Sequence, residues 1–430
     1  MKIGYLVPEF PGQTHAFFWR ELRQLRQLGV DAELVSTRPP AAGLVSHDWS
    51  SEAISQTSYL TQVSLADVAD STMALLRTGL RGTLSALETG AAEAHGPRAR
   101  ARHLTLAGFG ARLGAIAARR RWRHIHVHSA ADAANVALYA WLLSGLPYSL
   151  TLHGPVSDYG PNQQRKWTHA SFGIVITQQL HDQLREQVGD HTPLAIAPMG
   201  IDPDHFKRRA PYAPHRGESS LRLFSCGRLN PCKGHAHSIV ALSKLRQAGV
   251  AARLVIAGED DSGGHGYRQE LERLVAELGQ QDAVELLGAV PEARVIEELH
   301  NAHVFVLASV AEPLGVVLME ALAMEVPVVA TRAGGVVELV RDGSNGLLVE
   351  PNSDRSITDA LLRLASEPEL CTRLSRQGRQ DIVDNYTSGR SAQLLAEMIG
   401  KFSGQQTEPH APSATQWQTD TPASSRPDPR

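Results

Sequence analysis

Short apolar segments alternate with longer amphipathic segments along most of the chain, and this alternation limits the possible folds more than any other feature of the sequence. Segments such as KIGYLV, YSLTLHG and VFVLAS have the length and composition of buried strands. The stretch 15–29 differs, because its apolar residues recur at helical spacing from Phe18 to Leu28 and Gly29 then marks an end. Strands that alternate with helices in this way predict parallel sheets with crossover helices.

The alternation is interrupted in the polar, proline-containing segment FKRRAPYAPHRGESS, and a second series of apolar runs follows it. We therefore expect an α/β protein with two Rossmann-like domains, residues 1–206 and 207–385, which face each other across a cleft. A helix over 386–401 would follow, and the tail 402–430, rich in Pro, Ser, Thr and Gln, is predicted to be disordered. Open α/β sheets bind ligands at the carboxyl ends of their strands, so the loops there are the candidates for function.

The charge balance argues against one broad class of partner. With 42 Lys and Arg against 45 Asp and Glu, the net charge of −3 gives no basis for nucleic acid as the main partner. The three cysteines form no CxxC pair, which is typical of a reducing compartment. The first apolar run is too short for a signal-peptide core, and no stretch offers the roughly 20 uncharged apolar residues of a spanning helix. We expect a cytoplasmic protein.

The most informative segment is VFVLASVAEPLGVVLMEALAMEVPVVAT, which predicts a buried strand, a loop with Glu312, a helix with Glu320 and a second buried strand. Glu312 lies in the loop and Glu320 lies about two turns into the helix, and carboxylates at both positions can accept hydrogen bonds from hydroxyl groups of a ligand. The free amides around Gly315 and Val316 open the helix and favour an anion such as a diphosphate. Either glutamate alone is more typical of an ordinary solvated acid, so only the whole context favours a site.

The segment FSCGRLNPCKGHAHSIVAL predicts a strand that ends at Gly227, a loop with two cations, and a helix. Arg228 and Lys233 in this loop would bracket a diphosphate. The alternative is a pair of solvated surface cations, which the glycines at 227 and 234 make less favourable.

These motifs resemble those of the retaining GT-B glycosyltransferases of family 4, the glycosyl transferases group 1, which carry two glutamates eight positions apart in this context. Two further segments share the resemblance. YSLTLHGPVSDY places His153 after a strand, where the family has a histidine beside the donor sugar. PEFPGQTHAFFWREL places Gly12 in a short entry loop similar to that of transferases for bacterial exopolysaccharides and colanic acid.

The resemblance implies a reaction and a set of residues. The reaction is a retaining, metal-independent transfer of a sugar from a nucleotide diphosphate sugar to a saccharide or lipid-linked saccharide, in exopolysaccharide or cell-surface polysaccharide synthesis. No cofactor beyond that substrate is expected. The first domain would bind the acceptor and the second the donor. The residues with implied catalytic roles are Arg228, Lys233, Glu312 and His153. The residues with implied substrate-binding roles are Gly12, Gly227, Leu314, Gly315, Val316 and Glu320.

Two other functions stay open at this point. A nucleotide-sugar epimerase of the same architecture would convert the donor without an acceptor, and a non-catalytic nucleotide-sugar-binding protein would keep the fold without turnover. Asp202 and Asp204 spell a DxD, but they lie by the predicted hinge and away from the nucleotide motifs, so we expect no metal site. His124, His126 and His128 share one strand face, which is more typical of packing than of a metal cluster.

One stretch is strongly basic, because eight arginines and no acidic residue lie between Glu93 and Asp132. Among them Arg112, Arg119 and Arg123 recur at near-helical spacing. Two interpretations are open: peripheral contact with the anionic headgroups of the inner face of the cell membrane, or a solvated cationic helix.

Overall fold

The computed structural model describes residues 1–12, 15–40, 48–64, 72, 86, 96–260 and 266–402. These residues form two α/β domains, each built on a parallel sheet, so the predicted fold class is confirmed. Residues 403–430 of the predicted tail lie outside the described residues.

The first domain is built on a seven-stranded sheet. Its strands are β1 (Lys2–Glu9), β2 (Asp31–Arg38), β3 (Ser58–Tyr59), β4 (Ile125–Val127), β5 (Tyr148–Leu152), β6 (Gly173–Val175) and β7 (Leu194–Ile196). Its helices are α1 (Ala16–Gln27), α2 (Ser50–Gln56), α3 (Pro97–Arg120), α4 (Asp132–Ser144), α5 (Gln163–Thr168) and α6 (Gln178–Val188). In space the strands follow the order β3-β2-β1-β4-β5-β6-β7, and all neighbours are parallel.

The second domain is built on a six-stranded sheet. Its strands are β8 (Leu221–Cys226), β9 (Ala252–Ala257), β10 (Val284–Gly288), β11 (Val304–Leu307), β12 (Val328–Thr331) and β13 (Leu347–Val349). The helices are α7 (His235–Gln247), α8 (Tyr267–Glu277), α9 (Glu292–Asn301), α10 (Val316–Ala323), α11 (Val336–Leu339), α12 (Asp354–Ser366), α13 (Pro368–Asn385) and α14 (Ser388–Phe402). The spatial order is β10-β9-β8-β11-β12-β13, again with parallel neighbours.

Each sheet contains one point where the direction of strand addition reverses. In the first sheet this point lies between β1 and β4, and in the second it lies between β8 and β11. The loops that leave the carboxyl ends of such strands diverge to opposite faces of the sheet, which opens a crevice. Every residue of β5, β11 and β12 is buried, as expected of parallel strands covered on both faces.

The last helix, α14, crosses back to the first domain. Its residues Ala392, Leu395 and Ile399 are buried in the same apolar cluster as Phe18 and Leu22 of α1. The sequence predicts a helix here but does not indicate which domain it packs against.

One detail of the sequence-based prediction needs correction. Leu28 does not belong to the buried face of the first helix, because α1 ends at Gln27 and Leu28 is 50% exposed. Its neighbour Gly29 has φ +80° and turns the chain away from the helix.

Among the described residues, no helix combines the length and apolar character that crossing a bilayer requires.

Candidate active site

A cavity of about 560 Å³ lies between the two domains, where the carboxyl ends of β1, β4 and β5 face those of β8 and β11. Both domains contribute to its wall. The structure places nine of the ten sequence-predicted site residues in this wall: His153, Gly227, Arg228, Lys233, Glu312, Leu314, Gly315, Val316 and Glu320. The loops that the sequence singled out separately therefore meet around one space.

Arg228 and Lys233 lie on the loop after β8. This loop contains a single 3₁₀ turn over Pro231–Lys233, and the side-chain oxygen of Asn230 caps the turn by accepting from the Lys233 amide at 3.2 Å. Gly234 follows with φ +68°. A Cβ at this position would lie 1.9 Å from the carbonyl oxygen of Ala308, which directly follows β11. The tight turn keeps both cations at the same wall of the cavity, as the binding of a diphosphate requires.

Glu312 is buried and paired with Lys233. Lys233 Nζ donates to Glu312 Oε2 at 2.5 Å, and the hydroxyl of Ser309 donates to the same oxygen at 3.3 Å. The backbone carbonyl of Glu312 accepts from the amide of Gly335 at 3.0 Å, so the loop after β12 fixes the main chain. Lys233 and Glu312 thus form a pre-oriented pair, in which the ammonium group is already placed before any ligand binds.

The start of α10 forms the third part of the wall that the second domain contributes. Gly315 precedes the helix with φ +89°, a left-handed conformation that a residue with a side chain adopts only with strain. Leu314 and Gly315 are buried, whereas Val316 is half-buried. Because the side chain of Leu314 packs in the core, ligand contact at this turn falls to the backbone amides of the first helical residues.

The two predicted glycines differ in their positions. Gly227 lies in the wall, and an added Cβ would meet the aliphatic chain of Lys233 only at an ordinary 3.7 Å. Gly12 lies outside the wall, and a Cβ there would lie 2.6 Å from Nδ1 of His15. The absence of a side chain at Gly12 therefore makes room for His15, and it is His15 that lines the cavity.

His153 is half-buried and contacts two uncharged side chains, His128 and Met199. Its Nε2 lies 3.2 Å from Nδ1 of His128, and its Nδ1 lies 3.2 Å from Sδ of Met199. Burial, with a smaller effect from His15, lowers the pKa of His153 to about 3. At neutral pH the imidazole carries no charge, so it can orient a sugar by hydrogen bonding but cannot act as a cation.

Glu320 lies against an arginine of the first domain. Two guanidinium nitrogens of Arg20, on α1, donate to Glu320 Oε1 at 3.1 Å each, although the residues are 300 positions apart. Arg20 also donates to Glu292, the first residue of α9. Burial raises the pKa of Glu320 to about 7; Arg20 lowers this pKa and the charge of Glu292 raises it.

Glu292 has a second partner in the hinge segment, residues 197–220, which joins β7 of the first domain to β8 of the second. His205 Nε2 lies 2.6 Å from Glu292 Oε1. Although burial acts in the opposite direction, the hydrogen bond from His205 and the charge of Arg20 lower the pKa of Glu292 to about 2. The hydrogen bond to Glu292 in turn raises the pKa of His205. Glu292 is thus a firmly ionised group in the cavity wall.

The DxD and the histidine strand have structural roles. Asp202 Oδ1 accepts from the backbone amides of Asp204 and His205, as in a turn cap. His124, just before β4, and His126, on β4, hydrogen bond to the Ser149 hydroxyl at 2.7 and 2.8 Å. No group of three or more potential metal ligands occurs among the described residues.

The predicted arginine surface needs correction at one position. Arg112 is buried, and it donates to the carbonyl oxygens of Leu60 at 2.5 Å and Gln62 at 2.6 Å. It therefore cannot contact a membrane. Arg119 and Arg123 are exposed, but α3 ends at Arg120, so Arg123 is not on the same helix.

The sequence analysis missed Arg20, His205 and Glu292. None of them stands in a recognisable motif, and the contacts that give them a role join segments 87 to 300 positions apart. It also missed Glu338 of α11, whose carboxylate accepts from the backbone amides of Gln178 and Gln179 at the start of α6. Only the folded arrangement of the two domains shows these residues.

Two family models match the chain. The model described as glycosyl transferases group 1 matches residues 212–381, and the model described as glycosyltransferase family 4 matches residues 80–205. The two matches fall on the second and first domains respectively.

Curated relatives and solved structures give consistent results. The chain is 30% identical to the putative colanic acid biosynthesis glycosyltransferase WcaL of Escherichia coli over 50% of this chain and 52% of that protein. It is 27% identical to the amylovoran biosynthesis glycosyltransferase AmsK of Erwinia amylovora over 48% of this chain and 51% of that protein. The chain thus spans about half the length of these relatives.

Among solved structures, Anabaena HepE in complex with UDP and glucose superposes with a TM-score of 0.72 at 18% identity, over 93% of this chain and 99% of that one. At this identity the likeness concerns the fold, which is the GT-B arrangement of two facing domains.

Proposed function

We propose that the chain is a glycosyltransferase of the group 1 and family 4 type, and that it transfers a sugar from a nucleotide diphosphate sugar to a saccharide acceptor in exopolysaccharide or cell-surface polysaccharide synthesis. The observation that carries this proposal is the convergence of Arg228, Lys233, the start of α10 and Glu320 on one interdomain cavity. The names of the colanic acid and amylovoran relatives support the polymer class. The UDP and glucose bound to HepE support a nucleotide-sugar donor.

The donor would bind along the wall formed by the second domain. The diphosphate would lie between Arg228, Lys233 and the amides at the start of α10, where two charges and a helix N-terminus favour an anion. The ribose diol would donate to Glu320. Glu312, already placed against Lys233, would accept from hydroxyls of the donor sugar.

The two cations would act as electrophilic catalysts. As the bond between the anomeric carbon and the phosphate oxygen breaks, negative charge grows on the distal phosphate, and cations aimed there bind the transition state more strongly than the ground state. Each charge-assisted contact contributes roughly 1.5 to 3 kcal/mol, or about ten- to a hundredfold in rate where it is made only in the transition state. On this account the reaction needs no metal ion.

We assign a retaining course to the reaction. The acceptor oxygen would form its bond to the anomeric carbon on the face that the phosphate leaves, and the acceptor proton would pass to the departing phosphate oxygen. His153 would orient the sugar as a neutral imidazole, in keeping with its lowered pKa. Adjoining domains would exclude water from the cavity and limit hydrolysis of the donor.

The acceptor would approach along the wall formed by the first domain, which Glu9, His15 and Phe17 line. A lipid-linked saccharide and an anionic membrane surface are part of the proposal, with the exposed Arg119 and Arg123 as the contact residues. A cytoplasmic location is consistent with the three cysteines, all of which are free thiols. Co-sedimentation with anionic vesicles tests the membrane contact. Neutralising Arg119 and Arg123 should reduce the co-sedimented fraction, and an unchanged fraction would show that the two arginines belong to an ordinary solvated surface.

The reaction is tested by incubating the purified full-length chain with a panel of nucleotide sugars, with and without saccharide acceptors. We expect the release of a nucleoside diphosphate together with a lengthened saccharide, and we expect Arg228→Ala and Lys233→Ala to lower turnover at least tenfold. Isomerised sugar from the donor alone would instead establish an epimerase. Nucleotide binding without turnover on any acceptor would indicate a binding protein.

A further inference from the structure

The carboxylate proposed for the ribose, Glu320, is contacted by a residue of the opposite domain. Arg20 lies on α1 of the first domain, whereas Glu320 lies on α10 of the second. The ion pair is largely shielded from water, since the two side chains are 10% and 11% exposed. A pair this well shielded is less screened by salt than a surface pair.

The contact involves one oxygen of the carboxylate. The two terminal guanidinium nitrogens of Arg20 converge on Glu320 Oε1 at 3.1 Å each. In the part of the chain that the structure describes, Glu320 Oε2 lies outside this ion pair. The carboxylate is thus held on one side, and its second oxygen remains as an acceptor for a hydroxyl donor.

Arg20 is itself held in place from two directions. Its guanidinium lies 4.8 Å from the centre of the buried Phe206 ring in the hinge segment. It also pairs with Glu292, which His205 of the same hinge segment contacts. A side chain fixed by a ring and a second carboxylate has little freedom left to lose when a ligand binds.

Arg20 lies behind the carboxylates and not in the cavity. Glu292 and Glu320 line the cavity wall, whereas Arg20 does not. A ribose that reaches Glu320 would therefore meet the carboxylate with Arg20 on its far side. This placement favours a supporting role for Arg20 over competition with the ligand.

We propose that Arg20 is a positioning residue for the donor ribose: from the acceptor domain it holds the Glu320 carboxylate through Oε1, so that Oε2 accepts from the ribose hydroxyls. This inference rests on the proposed function. It follows that the donor site, although built mostly on the second domain, is complete only when the first domain adjoins it.

The test measures discrimination for the ribose diol by isothermal titration calorimetry of the full-length chain. The probes are uridine 5′-diphosphate and guanosine 5′-diphosphate, and the better binder is compared with its 2′,3′-dideoxy analogue. The variants are Arg20→Ala, Arg20→Lys, Glu320→Gln, and the double variant with Arg20→Ala and Glu320→Gln. The control is Arg23→Ala, an exposed arginine on the same helix.

We expect Arg20→Ala to reduce the ratio of ribo to dideoxy affinity at least fivefold while the dideoxy affinity changes less than twofold. Arg20→Lys should keep part of the ribo-to-dideoxy affinity ratio, and Arg23→Ala should keep all of it. The double variant should show the same ratio as Glu320→Gln. A variant that merely loosened the fold would weaken both ligands equally.

Three results would overturn the inference. An unchanged ratio in Arg20→Ala, with the ratio lost in Glu320→Gln, would refute the role of Arg20 and leave the donor site intact. Tighter binding of the ribonucleotide to Arg20→Ala would show competition instead. Failure of the wild-type chain to bind either nucleoside diphosphate would refute the proposed function and this inference together.

Discussion

Replacing Lys233 should harm diphosphate binding for two reasons, and the second of these follows from its partner. The first is the loss of one charge-assisted contact, roughly 1.5 to 3 kcal/mol. The second is that Glu312, whose Oε2 lies 2.5 Å from Lys233 Nζ, loses its cation. A phosphate oxygen bound to the ammonium would lie about 2.8 Å beyond it, so the two anions would be about 5 Å apart. At an effective dielectric constant of about 20 their repulsion is ~3 kcal/mol.

This arithmetic predicts an unusual mutant series. Lys233→Ala should weaken the binding of a nucleoside diphosphate by more than a hundredfold, because both effects act together. Adding Glu312→Gln to that variant removes the repelling charge and should recover at least tenfold in Kd, although Glu312→Gln alone should not improve on wild type. Isothermal titration calorimetry with uridine or guanosine 5′-diphosphate measures all four proteins. If the double variant binds no more tightly than Lys233→Ala, the two side chains do not share the phosphate site and the reasoning is wrong.

Further predictions concern single positions. Gly315→Ala, which forces a side chain to φ +89°, should cost about 1 to 3 kcal/mol of stability by urea unfolding and weaken diphosphate binding. Arg112→Ala should cost about 3 kcal/mol, because the buried carbonyl of Leu60 and the carbonyl of Gln62 lose their donor, whereas Arg123→Ala, at an exposed position, should stay within about 0.5 kcal/mol. Burial lowers the pKa of His124 to about 3 in the folded chain. Below about pH 6.5 the unfolded chain therefore binds more protons at this residue than the folded chain does, so the free energy of unfolding decreases as the pH is lowered. His124→Phe should therefore reduce the loss of unfolding free energy between pH 7 and 5 by on the order of 2 kcal/mol.

Local chemistry explains which parts of the fold the sequence could predict. A strand such as VFVLAS is apolar on both faces because helices cover both faces, so the strand itself carries the pattern. Because Glu312 follows the end of that strand, it must lie in a loop at the carboxyl edge of the sheet. The same reasoning places Arg228 and Lys233 at the end of the neighbouring strand, and parallel strands bring these ends to one edge of the sheet.

Other properties depend on partners that are distant in the sequence. The helical spacing of Arg112 gave no sign that its guanidinium reaches the carbonyls of Leu60 and Gln62 on a separate segment. Likewise, the neutral state of His153 follows from its burial and from its contacts with His128 and Met199, which other loops supply. A pattern in one segment cannot encode such environments, because they are set by what packs against the residue.

The position of α1 links the side of the cavity proposed for the acceptor with the side proposed for the donor. Phe17 lines the cavity with its ring 5.5 Å from that of His153, and Arg20, three positions later and therefore on the same side of the helix, holds Glu320. The apolar face of α1 is fixed between the first sheet and α14, so the helix has little freedom to rotate. A displacement that brought Phe17 towards an acceptor would move Arg20 by a similar amount. The positions proposed for the acceptor and the ribose are therefore coupled by the rigidity of one helix, and a substitution that shifts α1 should alter the binding of both together.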